Sequence, residues 1–422
     1  MTSEAPDPWA VLDDPMATPA DADATARAAG LLPTDPRRAA GLTSWLVHRA
    51  TLDGSTCLPA DVLANALNGY GIADPVPGVR LADDQGRVVA LPEERLAAPT
   101  ELAAHEETVA DELARLLEGT PATDQGSALD IALGSGVSVV KAAPGPGLRE
   151  WLEALDSRAA QSGLRVERAV AERAAASTGV LASAEVAVVE GAHRLELADA
   201  AALLTGLGDS ARLVLVGDPD QLPAKGPGRL LTDVVASGVV PVTRLEPDAS
   251  TPAGLLGLME ALRDGRLPTV DAASHDVVVV TVAEPTDAVT RLRQLVETSI
   301  PRSFDLTPDQ VLVLSPRTDG VLGTEAVARG LGASGVRVST VQEATGTRAE
   351  AVVLLTPAES AASLSRALVI TAAACAVRHL SVVHQAGPAL AQAVAERPHP
   401  PRRTRLQHLL HEAVAGPEGG FA

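Results

Sequence analysis

Aromatic side chains are nearly absent from this 422-residue chain, which has two Phe, three Trp and one Tyr. Proteins that hold single strands by stacking bases need such rings, so stacking has little to work with here. Trp9, Trp45 and Trp151 are expected as core anchors instead. Cysteine is as scarce: Cys57 and Cys375 alone make neither a disulfide framework nor a zinc site. The nine histidines show no ligand spacing, and the pair His408 and His411 has no acid or thiol partner recurring nearby. No apolar run approaches the roughly 18 residues of a membrane span. The opening MTSEAPDPW is acidic and contains proline, unlike a signal peptide, so a soluble cytoplasmic protein is expected. Positive charge is also in deficit. The formal net charge is −20, and residues 1–125 carry 21 acidic against 8 basic side chains. A protein that grips phosphate backbones usually presents a basic face. The dense basic run here is Arg397, Arg402, Arg403 and Arg405, which reads as a solvated tail and is the candidate nucleic-acid contact.

What the chain has is aliphatic bulk. Hydrophobic residues make up 46%, so Ala, Val and Leu must build the cores, and the length suits two or three domains. Residues 1–120 read as mostly helical, with periodic stretches at Ala22–Ala29, Gly41–Ala50, Ala60–Leu67 and Glu101–Leu117. Arg87–Leu91 follows a turn and reads as the strand of a small wing. After a linker-like GTPATDQG (119–126), short apolar strands alternate with helices, the signature of parallel sheets. Val137–Val140, Val186–Val189 and Arg212–Val216 would serve a first α/β domain. Val277–Val282, Val311–Leu314, Val352–Leu355 and Leu380–Val383 would serve a second.

The most specific stretch is Arg212–Leu231, RLVLVGDPDQLPAKGPGRLL. A buried strand delivers Asp218 and Gln221 to the carboxyl end of a parallel sheet, where α/β proteins bind ligands. This stretch resembles motif III of RecD-type superfamily 1 DNA helicases. The resemblance continues in order along about 300 residues: Gln125 as the adenine-contacting glutamine, Val188–His193 at the Walker B strand end, Gly335–Leu355 as motif V and Ala367–Val383 as motif VI. Residues 1–120 resemble, more weakly, the accessory domain of those helicases. The resemblance implies two RecA-like (P-loop NTPase-type) parallel-sheet α/β domains (121–250 and 251–422) behind a helical accessory domain (1–120). It also implies ATP, Mg²⁺ and single-stranded DNA as ligands.

Chemistry departs from that pattern site by site. A P-loop needs G-x-x-x-x-G-K-[ST]. The aligned Ala142–Arg149 keeps Gly145 and Gly147, but has Leu148 in the Lys slot and Arg149 in the hydroxyl slot. Arg149 could reach a phosphate but cannot ligate magnesium. The Walker B Asp-Glu pair is Glu190-Gly191, so Glu190 could hold a metal while Gly191 does no acid–base work. The arginine expected after motif III is missing from Leu245–Ser250, Cys375 holds the motif VI arginine slot, and Thr345 holds the motif V glutamine slot. The inserts that would contact DNA also have no room between Leu148 and Glu190, or after Ser315–Thr324. The expected cleft site therefore comprises Gln125, Gly145, Gly147, Arg149 and Asp218 for nucleotide, and Glu190 and Gln221 for any remaining catalysis. Three functions follow: a non-hydrolysing module binding nucleotide, DNA or a protein; an active ATP-dependent helicase of DNA repair or recombination; and a fold without a partner.

Overall fold

The computed structural model describes residues 7–123, 125–268, 275–332 and 334–415. The segment Met1–Pro6, read above for its acidity, and Asp124 in the expected linker lie outside them.

Apolar runs in this chain become strands wherever both sheet faces are covered, as parallel sheets require. β4 (Val137–Lys141), β6 (Val186–Glu190) and β7 (Arg212–Gly217) are buried along nearly their whole length. With β5 (Val166–Val170) and β8 (Val242–Arg244) they form one parallel sheet of order β5-β6-β7-β4-β8. A second parallel sheet has order β11-β10-β12-β13-β9. Its strands are β9 (Val277–Thr281), β10 (Val311–Ser315), β11 (Arg337–Thr340), β12 (Ala349–Thr356) and β13 (Ala376–His384). Helices flank both sheets, so the architecture is the expected α/β one with two parallel-sheet units. The seven strands read from the sequence are all present. β5, β8 and β11 were not anticipated: they are edge strands, shorter or more exposed, and carry no continuous apolar run.

The first hundred residues pack helices Pro19–Ala28, Pro36–Arg49, Ala60–Gly69 and Val76–Asp84 around Trp9, Leu12, Leu42 and Trp45. Trp9 and Trp45 are core anchors, and each indole N–H is satisfied, by Asp23 Oδ1 at 2.9 Å and the Ala17 carbonyl at 2.9 Å. The expected wing strand is there as β2 (Val88–Leu91), in a small antiparallel sheet with β1 (Leu58–Pro59) and β3 (Leu96–Pro99).

Two long-range features correct the sequence reading. The helix Thr100–Gly119 gives Val109, Ala110, Leu113 and Leu116 to the core of the first sheet. Nor is the C-terminal basic run a solvated tail. After the helix Pro388–Glu396 it turns back across the molecule, and Leu406 and Leu410 enter the first sheet's core. Arg405 is 3% exposed and clamped by Glu94 and Glu107. Arg402 Nη1 donates to the carbonyls of Ala224, Gly226 and Gly228, and Arg397 donates to those of Ala361 and Ala362. Arg403 alone of the four is exposed. Arginine suits this strap because its planar fork reaches several carbonyls at once. Gly54, at φ 84, admits Arg402: a Cβ there would stand 2.3 Å from Nε.

Candidate functional site

The parallel registers carry β4 and β7 to a common carboxyl edge, with Lys141 beside Gly217 and Arg244. From Lys141 the chain makes a short loop, Ala142–Gly145, and enters the helix Pro146–Gln161. Proline at the first helical position costs nothing, since its missing N–H has no partner to lose. This is the strand–loop–helix geometry of a phosphate cradle. The loop borders a cleft of about 290 Å³ between the two sheet units, and Gly145, Gly147 and Asp218 line it.

The other expected residues do not. Gln125 is exposed, with only its backbone N–H engaged by Thr123 Oγ1 at 3.4 Å. Arg149 is exposed on the helix's first turn. Leu148, in the lysine slot, packs against the core on one sheet face together with Trp151 and Leu245. Glu190 and Gln221 are likewise absent from the cleft lining. Gln221 is 3% exposed, and its backbone N–H bonds the Asp218 carbonyl at 3.1 Å.

The fold brings together in this cleft cations that sequence order keeps far apart. Lys141, Arg244, Arg263 and Arg348 line the cleft, matched by Asp218, Glu246, Asp248 and Glu260. Three arginines thus line the cleft although neither Leu245–Ser250 nor position 375 supplies one. Arg263 pairs with Asp218 at 3.0 Å and approaches Asp220 at 3.5 Å. Arg348, from the second unit, donates to the Pro144 carbonyl inside the cradle loop. Asp248 accepts from the Ser250 amide and hydroxyl, both at 2.9 Å. Those bonds, with Arg348 nearby, hold its carboxyl below the usual range. Spacing offered no signal for any of these contacts.

The Walker B end is filled. Gly191 adopts φ 71, ψ 30, a left-handed conformation natural to glycine. The Arg194 guanidinium lies over it, so that a Cβ on Gly191 would sit 2.3 Å from Nη2. The same guanidinium pairs with Glu172, donates to the Thr345 carbonyl at 3.2 Å, and would meet a Cβ on Gly346 at 2.6 Å. A side chain in the base position would occupy this arginine's place. Beside it His193 is buried and accepts the Asp218 N–H on Nδ1 at 3.3 Å, which assigns its proton to Nε2. Burial pushes its pKa down to about 4.

The motif III loop is held from every side. Leu222 is 4% exposed within the second unit's core. Its N–H donates to Thr371 Oγ1 at 2.8 Å, and Gln342 Nε2 donates to the Pro223 carbonyl at 2.8 Å. The Gly226 N–H bonds Glu196 at 3.1 Å, and the Gly228 N–H bonds the Gly54 carbonyl at 2.8 Å.

The magnesium implied by the resemblance does not fit these residues. The hydroxyl slot holds Arg149, whose cationic side chain cannot ligate a metal ion. A phosphoryl group fits the cradle better, given its loop backbone and flanking cations, but must share it with Asp248. Helices Pro146–Gln161 and Ala174–Leu181 with β5 span the interval from Leu148 to Glu190. No helix among the described residues is long and apolar enough to cross a membrane.

No family model matches the chain. Among solved structures, the arterivirus nonstructural protein 10 helicase in complex with DNA is similar at 16% identity, covering 71% of this chain and 69% of that one, with a TM-score of 0.34. The crystal structure of arterivirus nonstructural protein 10 gives 15%, 71%, 68% and 0.32. The PRRSV helicase gives 15%, 59%, 52% and 0.34. A likeness this distant carries no argument about what the chain does.

Proposed function

We propose that this chain is a RecD-like superfamily 1 helicase homologue that does not hydrolyse nucleotide and serves as a binding module. In this reading the inter-unit cleft holds a ligand without turning it over. The observation that carries it is Arg194. Its guanidinium fills the space of the water-activating carboxylate and is itself tied to both units through Glu172 and Thr345. Hydrolysis needs a group there to position and activate water. Two further features support the reading: Leu148 spends the lysine slot on packing, and the metal position has no hydroxyl.

Charge favours a protein partner over single-stranded DNA. The net charge is −20, and Arg402 and Arg405 are consumed inside the fold. The competing reading, an active ATP-dependent helicase, draws on Lys141, Arg244, Arg263 and Arg348 in the cleft. An ATPase assay on the purified chain, with and without single-stranded DNA at low salt, separates the two. No turnover above a no-enzyme control is expected. DNA-stimulated turnover would overturn the non-hydrolysing reading, and ATP-dependent separation of a tailed duplex would establish the helicase instead.

A further inference from the structure

The second unit places a cation at the cradle from an unexpected strand. β12 and β13 run in parallel with Ala349 opposite Ala376, and the Ala349 N–H donates to the Cys375 carbonyl at 2.9 Å. Arg348 therefore stands beside Cys375, one strand over from the slot where an arginine is expected. Cys375 itself is 1% exposed, with Sγ directed at the Ala344 carbonyl at 3.4 Å, which is a packing role. The Arg348 side chain leaves that core and crosses the cleft to the Pro144 carbonyl. Its Nη1 stands 3.0 Å from the Cβ position of Gly145.

An anion of the chain's own meets it there. β8 runs beside β4, and the Leu245 N–H donates to the Lys141 carbonyl at 3.0 Å, which lays the segment 246–250 over the loop. Asp248 Oδ2 lies 3.8 Å from the Gly145 Cβ position and faces the Gly147 amide without closing a hydrogen bond of normal geometry. Arg348 Nε is buried at the same mouth, also without a partner. Asp248 Oδ2 and Arg348 Nε are thus both left without a partner at the mouth of this loop, an acceptor and a donor that an entering ligand would meet.

We propose that Arg348 is the cation that the second unit supplies to a phosphoryl group in the cleft, and that Asp248 is the internal anion which must yield for that group to enter. A carboxylate beside an arginine and backbone amides imitates part of what a phosphate offers. The cleft thus rests in a self-occupied state, and ligand binding is an exchange of one anion for another. This rests on the reading of the cleft as a helicase-type nucleotide site kept without turnover.

The test is equilibrium titration of the full chain with a non-hydrolysable ATP analogue, comparing wild type, Asp248→Asn, Arg348→Gln and the double variant. Removing the competing charge should tighten binding by about tenfold or more, and Arg348→Gln in that background should reverse the gain. Arg348→Lys keeps the charge and the inter-unit contact region, so it guards against a folding failure of the glutamine variant. It must also bind more weakly than Asp248→Asn alone, since an ammonium lacks the planar fork. No tightening by Asp248→Asn, or tightening that survives both Arg348 substitutions, overturns the proposal. Turnover by the wild type would remove the non-hydrolysing reading and leave this exchange standing. A flat Asp248→Asn titration would do the reverse.

Discussion

Two neighbouring strands of one sheet, β6 and β7, end a few ångströms apart and have had opposite fates. The β7 end keeps the whole of Gly217–Gly228, while the β6 end has Glu190-Gly191 capped by an arginine. The difference lies in what each loop touches. Leu222, Pro223, Gly226 and Gly228 are bonded or packed to the second unit, to Glu196 and to the N-terminal region, with Arg402 closing over them. That loop joins the parts of the molecule, so its residues are needed whether or not a nucleotide is hydrolysed. The β6 end reaches the second unit through Arg194, whose guanidinium donates to the Thr345 carbonyl. The contacts of Gly217–Gly228 are thus packing contacts between parts of the molecule.

The comparison breaks first at Leu222. Leu222→Ala should cost about 3 kcal/mol of unfolding free energy, the usual range for truncating a buried leucine, read by denaturant titration. A cost near zero would mean the motif III loop does not join the units. Next is the strap over the same loop. Arg402→Ala removes a charged donor from the carbonyls of Ala224, Gly226 and Gly228 and should cost about 2 kcal/mol. It should leave any single-stranded DNA binding and its salt dependence unchanged, unlike a phosphate-contacting arginine.

A pH-dependent effect concerns His193, which lies beside both strand ends. Its folded pKa of about 4 lies below the ordinary value of about 6.5. The unfolded chain therefore binds a proton that the folded chain refuses. This contribution to stability is full above about pH 6.5 and falls as the pH drops towards 4, with a slope of at most about 1.4 kcal/mol per pH unit. His193→Gln can still accept the Asp218 N–H and should flatten the curve between those limits. An unchanged acid limb in that variant would assign the slope to other groups.

Much of the architecture was legible in the sequence, because a strand buried on both faces must be apolar along its length. Val137–Lys141, Arg212–Gly217 and Val311–Ser315 announce themselves in that way. The edge strand Arg337–Thr340 does not, since water on one side removes the requirement. The loop glycines and the identities of Leu148, Arg149, Gly191 and Cys375 are local facts and could also be read directly. That Gln125 and Arg149 stand outside the cleft could not, because side-chain direction depends on packing.

By itself, then, the sequence determined two parallel-sheet units and the order of the apolar strands within them. Periodicity and residue type are properties of short segments, and short segments are what a sequence displays. Only the tertiary structure decided that a run of arginines resembling a solvated tail is an internal strap. Only it brought Arg348 to the Pro144 carbonyl, 204 residues away along the chain, and Arg194 to the Thr345 carbonyl, 151 residues away. An arginine's charge is fixed by its chemistry, but the carbonyl or carboxylate that receives it is fixed by how distant segments pack.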